Sequence, residues 1–441
     1  LMHYVKWRHK YRTLNHFESI IVDNGYYNST FRVPTRQYRD YMDFIQRFVS
    51  EKAGELVGLV HEAGREAMMF LGDNWIGSEP YGRYFPAIGL DAVVGSVGGG
   101  ATLRLISDIP GVKYTEGRFL PYFFPDTFYQ GNDPVPEAVE NWLCARRALM
   151  RRPVDRIGYG GYLSLAYRFP GFVDYIEKVT DEFRELYDNI AGSRPYCGLK
   201  VAVLNCWGRL RSWQPYMVAH ALWYKQTYTY FGILEALSGA GVDVSFISFE
   251  DIRQHGVPED LDVIINAGDA GTAWSGGDEW LDEQTLVTAI RRWVYSGGGF
   301  VGVGEPCAVH HNGRFFQLAD VLGVDKELGY TLSTDKYDTK QAQGHFITED
   351  MEVNPVDGHG VLPPIDFGES MKNVYALGGD TEIVEYSDHE VHLSAHGYGK
   401  GRGVYIAGLP YSYVNTRILL RSMYYAAARE GDMKKWYADN I

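Results

Sequence analysis

The chain has 441 residues, 45% of them hydrophobic and 22% charged, so it is too long for one ordinary domain and is expected to bury a large core. Its 42 basic and 56 acidic residues leave a formal charge of −14. A globally acidic chain argues against nucleic acid as a partner, and any bound phosphate would need local Arg or backbone N–H groups against an unfavourable overall field.

Cys144, Cys197, Cys206 and Cys307 are widely spaced and form no CxxC pair. That spacing argues against a zinc knuckle, and the size argues against a disulfide framework. Reduced thiols and a cytoplasmic location are expected. No apolar run approaches the ~18 residues of a membrane span, so no membrane partner is expected. The chain opens at Leu1 in ordered-looking sequence with no signal peptide, as a fragment or trimmed chain would.

Taken in order, residues 20–22 form a strand candidate ending at Asp23-Asn24-Gly25. A helix is predicted from Thr35, with Tyr38, Met42, Ile45 and Val49 as its apolar stripe. Residues 67–71, 92–95 and 112–114 read as short buried strands, each ending in Gly, Asp or Glu. Helices are predicted over 136–151, opening on Pro136, and along Phe172, Ile176, Val179, Phe183 and Tyr187. Repeated strand-then-helix units imply a parallel sheet. Four or five such units precede Arg194-Pro195, whereas a closed β/α barrel needs eight. The segment therefore reads as the C-terminal part of a barrel or as a smaller open sheet.

From Cys197 onward a second pattern begins. Strands are predicted over 200–204, 244–247, 263–266, 300–303 and 404–407, with helices over 229–240, 279–295 and 413–428. This is an α/β, doubly wound parallel sheet of flavodoxin-like or glutamine-amidotransferase-like type. Residues 326–385 are less regular and read as a β excursion. The expected division is a barrel portion over 1–195, an amidotransferase-like domain over 196–432, and a tail or further module over 433–441.

Residues 70–82 carry the strongest chemical signal. Asp73 follows a strand, flanked by Trp75 and Tyr81. Side chains just past the C-terminal end of a barrel strand face the substrate. A lone carboxylate there suits a general acid for glycoside chemistry, and Trp75 can stack on a sugar or raise the acid's pKa by desolvating it. The plainer alternative is an Asp that caps the next turn. After the strand at 112–114, Arg118 to Phe124 read as a loop offering one Arg and several rings, able to clamp an anion and stack a sugar. A hydrophobic loop with one surface Arg is the simpler account.

Other motifs carry less. The Gly-rich run 95–100 lacks the ending of a P-loop and reads as a connection. Cys307 follows Gly302-Val303-Gly304-Glu305-Pro306, but a nucleophile elbow of G-x-C-x-G type would need Cys at 304, so Cys307 is read as inert. His310 and His311 have no second pair at ligand spacing, so no metal is expected. Asn205-Cys206-Trp207-Gly208 opens no dinucleotide fingerprint.

With these residues in view, the chain resembles glycoside hydrolase family 112, the inverting phosphorylases of β-galactosides. The resemblance runs through most of the chain. It is most specific at residues 72–82, at Gly117-Arg118-Phe119-Leu120-Pro121-Tyr122, at residues 268–277 and at Gly304-Glu305-Pro306. It implies a partly closed barrel that carries the chemistry and an amidotransferase-like domain without its nucleophile. It places Asp73 on the general acid, Arg118 on the phosphate site, Tyr122 on an acceptor-sugar contact and Phe124 in the acceptor subsite. The implied substrates are a β-galactosyl disaccharide and inorganic phosphate, with α-galactose 1-phosphate and a free N-acetylhexosamine or rhamnose as products. No cofactor is implied, and a homodimer is. Members of that family extend further at both ends, including earlier barrel strands and a terminal β module.

Two other classes stand beside this one. A retaining β-galactosidase would use two carboxylates, the acid usually in an Asn-Glu pair, and no such dipeptide occurs in this chain. An amidotransferase or ligand-binding protein would require an activated thiol such as Cys307.

Overall fold

The computed structural model describes residues 36–70, 82–119, 127–206, 208, 229–271, 274–327, 344–349, 364–368, 373–387 and 390–433. These fall into two compact units that meet in sequence between Pro195 and Tyr196. The strand expected at 20–22 lies outside the described residues.

The first unit is built on a parallel sheet of four strands in chain order, β1 (Met68–Phe70), β2 (Ala92–Ser96), β3 (Tyr114–Phe119) and β4 (Arg156–Tyr159). Parallel neighbours need a crossover, and helices at Gly100–Ser107 and Val135–Leu149 supply the last two. Along β3, Thr115, Gly117 and Phe119 are buried, while Tyr114, Glu116 and Arg118 are half-buried. The buried row lies under helices, as Phe119 meets Trp142 edge to face. Trp142 donates to Glu182 across the helix at Pro170–Ile190, which buries Phe172, Val179 and Phe183.

Three expectations are corrected here. β1 is not a buried strand: Met68 and Phe70 are 46% and 45% exposed, because β1 is an edge strand paired only with β2 among the described residues. β3 runs on through Arg118, so that residue belongs to the ladder and not to a following loop. In the helix at Arg36–Glu62, among the side chains described from residue 44 onward, the buried apolar ones are Phe44 and Val57, while Ile45 and Val49 are half-buried; the side chains of Tyr38 and Met42 lie outside those described. The helix leans on the 3-10 turn at Gly82–Ile88, with Gly54 turned toward Ala87 and Ile88.

The second unit is a seven-stranded mixed sheet. In chain order its strands are β5 (Lys200–Asn205), β6 (Asp243–Ser248), β7 (Val263–Gly268) and β8 (Gly299–Gly304). The short hairpin β9 (Ala308–His311) and β10 (Arg314–Phe316) and the pair β11 (Val324–Lys326) and β12 (Val374–Ala376) stand beside it. The sheet is completed by β13 (Glu382–Ser387), β14 (Glu390–Tyr398) and β15 (Gly401–Ile406). The spatial order is β13-β14-β15-β8-β7-β5-β6, with β13 and β14 antiparallel. Its five parallel strands, numbered as they occur in the chain, run 2-1-3-4-5, the order of flavodoxin-like sheets. β7 and β8 are buried along their whole length, as expected for central parallel strands covered on both faces.

The helix expected at 279–295 is broken into a 3-10 turn at Gly277–Leu281, a π-helical turn at Glu283–Val287 and an α-helix at Thr288–Tyr295. The break falls at Asp282. Its carboxylate accepts from the Thr285 N–H and holds Arg253, so it caps a new turn instead of continuing the old one. Among the described residues no helix is long and apolar enough to cross a membrane.

Asp91 pins the N-terminal edge of the four-stranded sheet. Its carboxylate pairs with Lys113 Nζ at 2.6 Å, accepts from the Ala67 N–H at 2.7 Å and meets His61 Nε2 at 2.7 Å. The Lys113 contact first, then the Ala67 and His61 contacts, hold this carboxyl well below the usual carboxylate range. A depressed folded-state pKa stabilises the fold above the unfolded carboxyl pKa, and that contribution is lost as the pH falls through the folded value. Asp91→Asn is therefore expected to lower the thermal midpoint at pH 7. Its gap from the unmodified protein should narrow as the pH drops below about 4, where unfolded Asp titrates. A gap that stays constant from pH 7 to pH 3 would contradict this account.

Candidate active site

The face of the four-stranded sheet opposite Phe119 carries Ser96, Glu116, Arg118 and Arg156. Pairing in β2, β3 and β4 sets Ser96 opposite Arg118 and Arg118 opposite Gly158, one row at the carboxyl edge of the sheet. The row beneath it holds Phe70, Val94, Glu116 and Arg156. Side chains of one row share a face because the strand period is two. A barrel interior is usually filled by branched apolar residues, so Glu116, Arg118 and Arg156 there mark a chemical surface.

Arg118 is the best-defined group of this edge. Its carbonyl accepts from the Val97 N–H at 3.0 Å, which ties its backbone into the ladder. Its guanidinium lies 4.0 Å from the centroid of the Phe70 ring, and Nη2 reaches Ser96 Oγ at 3.4 Å. A guanidinium over an aromatic face keeps its planar fork free to point donors along its edge. One row deeper, Arg156 stacks over Tyr114 at 4.1 Å. The arrangement can hold an anion with Arg118 and can offer a ring, Phe70, to an apolar sugar face.

Tyr159 ends β4 on the covered side, edge to face with Phe172. Burial pushes its phenol up, and the Arg118 charge opposes that shift. Its hydroxyl finds no hydrogen-bond partner among the described residues. Neither Tyr159 nor Glu116 was singled out from sequence, because each stands in a short strand with no apolar run or motif around it. The only available signal was their alternation with buried positions.

Asp73, Trp75, Tyr122 and Phe124 lie outside the described residues. Of the sequence-derived candidates, Arg118 alone is described. The Gly-rich run after β2 is put to use within the fold: the Gly98 and Gly99 N–H groups donate to Thr102 Oγ1 at 3.1 and 3.0 Å, at the start of the helix Gly100–Ser107.

In the second unit the crevice beyond β5 and β7 is the place where such sheets bind ligands. Here Glu305, just after β8, pairs with Lys326 and accepts from the Ala270 N–H at 2.8 Å. Gly304 has φ +78°, and a Cβ there would fall 2.5 Å from Thr229 Cγ2. Cys307 is fully buried with its N–H on Asn266 Oδ1, and burial pushes its thiol far up. His310 is exposed on β9. Among the described residues no three His, Cys, Asp or Glu side chains converge as metal ligands would.

Both units match known sequence families. Residues 8–198 match the lacto-N-biose phosphorylase N-terminal TIM barrel domain, and residues 200–431 match the lacto-N-biose phosphorylase central domain. The chain belongs to the lacto-N-biose phosphorylase family. It is 56% identical over 421 residues to a 1,3-β-galactosyl-N-acetylhexosamine phosphorylase of Lachnoclostridium phytofermentans, covering 95% of this chain and 56% of that protein. It is 51% identical to the enzyme of the same name from Bifidobacterium longum, covering 95% of this chain and 59% of that one. A D-galactosyl-β-1→4-L-rhamnose phosphorylase of L. phytofermentans is 36% identical, covering 92% of this chain and 54% of that protein. The chain thus spans a little over half the length of these relatives. Among solved structures, a family 42 β-galactosidase, Gan42B, aligns at TM-score 0.47 and 12% identity, covering 92% of this chain and 60% of that one, a likeness too loose to bear on activity.

The second unit's thiol chemistry can be checked directly. In the native protein at neutral pH, Cys307 is expected to resist a thiol reagent and to react only after denaturant is added. Labelling of Cys307 at the rate of an exposed thiol would overturn the buried, protonated state described here.

Proposed function

We propose that this protein carries out inverting phosphorolysis of β-galactosides of the galacto-N-biose and lacto-N-biose type. The products are α-D-galactose 1-phosphate and a free N-acetylhexosamine. The observation that carries this reading is the Arg118 guanidinium seated on Phe70 at the carboxyl edge of the sheet. Asp73 follows Phe70 by three residues, and three residues of chain span at most about 11 Å. This short separation in the chain supports reading the acid and the cation as parts of one site. The higher identity to the N-acetylhexosamine enzymes, 51–56% against 36% for the rhamnose enzyme, favours an N-acetylhexosamine acceptor.

In this mechanism Arg118 holds phosphate on the face of the galactosyl ring opposite the leaving oxygen. A phosphate oxygen attacks the anomeric carbon while the glycosidic C–O bond breaks. Asp73 gives its proton to the departing oxygen, and the proton of hydrogen phosphate makes up the balance. One protein carboxylate suffices, because phosphate replaces the base-activated water of an inverting hydrolase. Trp75 would desolvate the acid so that it stays protonated, with Tyr122 and Phe124 on the acceptor side. Phosphate is a co-substrate, and no cofactor enters the scheme.

The same reading covers architecture. The four strands β1–β4 would be part of a larger barrel, and the second unit an amidotransferase-like domain without a nucleophile. Gly304 at the elbow position and the buried Cys307 support this. A cytoplasmic homodimer completes it, the four free cysteines fitting a reducing compartment.

The test is phosphate release from α-galactose 1-phosphate, offered with each acceptor in turn to the full-length protein. Release with N-acetylglucosamine or N-acetylgalactosamine is expected. Asp73→Asn should lower turnover about 10²–10⁴-fold, the usual contribution of a general acid. Arg118→Ala should raise the KM for phosphate roughly 10–150-fold, as loss of a charge-assisted hydrogen bond predicts. Turnover of the disaccharide without phosphate, at the rate seen with it, would make the protein a hydrolase.

A further inference from the structure

The end of β4 runs into Gly160-Gly161, and these two glycines bear on the aim of Arg118. The Gly160 N–H donates to the Phe119 carbonyl at 3.3 Å, so the backbone of residue 160 is still laced to β3. A Cβ built on Gly160 would fall 1.6 Å from Arg118 Cγ, 2.1 Å from Cδ and 2.5 Å from Nε. These are mid-chain atoms of the arginine, not a loose tip. Gly160 does not have the positive φ that would demand glycine for backbone reasons. The constraint is space alone.

We infer that Gly160 is a positioning residue: its missing side chain leaves the slot in which Arg118 lies flat between the β4 end and the Phe70 ring, and this aims the guanidinium at the phosphate of the proposed reaction. The inference rests on the phosphate reading of Arg118. Neither backbone can easily make room. Arg118 is tied through its carbonyl to the Val97 N–H, and Gly160 through its N–H to Phe119. The next residue is closely approached too: a Cβ at Gly161 would fall 2.1 Å from Tyr159 Oη, so this turn is crowded by side chains from both neighbouring positions. An added methyl must therefore push the arginine side chain out of its slot and off Phe70.

The experiment is a double-mutant cycle between Gly160→Ala and Arg118→Ala in the full-length protein. Phosphate KM, disaccharide KM, inorganic phosphate binding by calorimetry and thermal unfolding are measured for each. Gly160→Ala is expected to lower kcat/KM for phosphate by up to about 100-fold, the cost of displacing a group by about 1 Å. The KM for the disaccharide should stay within about 2-fold. In the Arg118→Ala background the overlapping atoms are gone, so adding Gly160→Ala should change nothing beyond about 2-fold, the limit set for independent sites. Equal losses in both backgrounds would overturn the inference, as would an unchanged phosphate KM in Gly160→Ala. Should Gly160→Ala fail to fold, the double variant should fold as well as Arg118→Ala alone, and failure of the double variant too would refute the steric account. If Arg118→Ala itself leaves phosphate KM unchanged, the phosphate reading falls and this inference with it.

Discussion

The pairing register of β2, β3 and β4 is the constraint on which the candidate site depends. Because Ser96 stands opposite Arg118 and Arg118 opposite Gly158, the side chains of alternate residues emerge on one face at one height. A slip by one residue would turn Arg118 under the helices and bring Phe119 out. The register is itself protected by the buried row. Thr115, Gly117 and Phe119 fill the helix-covered side, and Trp142 closes over Phe119. At the opposite edge of the sheet Asp91 joins the chain entering β1 to the turns before β2 and β3. The stable end and the chemical end of the strands are thus separate, as barrel folds generally arrange them.

The second unit shows the opposite use of a similar geometry. Its switch point is where a flavodoxin-like sheet would hold a ligand. Among the described residues several groups there pair with one another. Glu305 is neutralised by Lys326 and by a backbone N–H, Ser275 donates to the Glu305 carbonyl, and Asn266 anchors the turn at Cys307. A carboxylate with its charge paired and its lone pairs occupied is a poor acid, base or nucleophile. Gly304 offers no side chain at the elbow position, and a Cβ there would strike Thr229. What remains is a packed scaffold, with Trp280, Phe300 and Phe316 in its centre.

Much of the fold was legible in sequence because central parallel strands read as short apolar runs. The five parallel strands of the second unit and the long helices fall where periodicity puts them. The misses share physical causes. β4, Arg-Ile-Gly-Tyr, has a single aliphatic residue and gives no apolar run. β3 was cut short because its second half alternates Glu, Gly and Arg, the composition of a loop, while the ladder on both sides holds it extended. The break at Asp282 is set by Arg253 and Thr285, and the Arg253 partner comes from a distant helix that a local pattern cannot foresee. At the site, Arg118 was found by residue type and neighbours, but its place on a strand was not. The fit of Gly160 against it is a contact between strands and leaves no trace in either segment alone.

On the proposed reading, this face offers a cation where a hydrolase would need a carboxylate. When the attacking group is water, the protein must supply negative charge or a base to activate it. When the attacking group is phosphate, the nucleophile already carries the charge, and a carboxylate at that position would repel it. The useful protein group is then a fixed guanidinium, able to bind two oxygens at once. A net charge of −14 makes that requirement stricter, since the overall field opposes an incoming anion. Only a local, well-oriented positive group can overcome it. Phe70 holds the guanidinium from one side through its ring face. For the proposed phosphorolysis, a ring beneath the arginine and a glycine beside it are a way to fix the direction of that positive group.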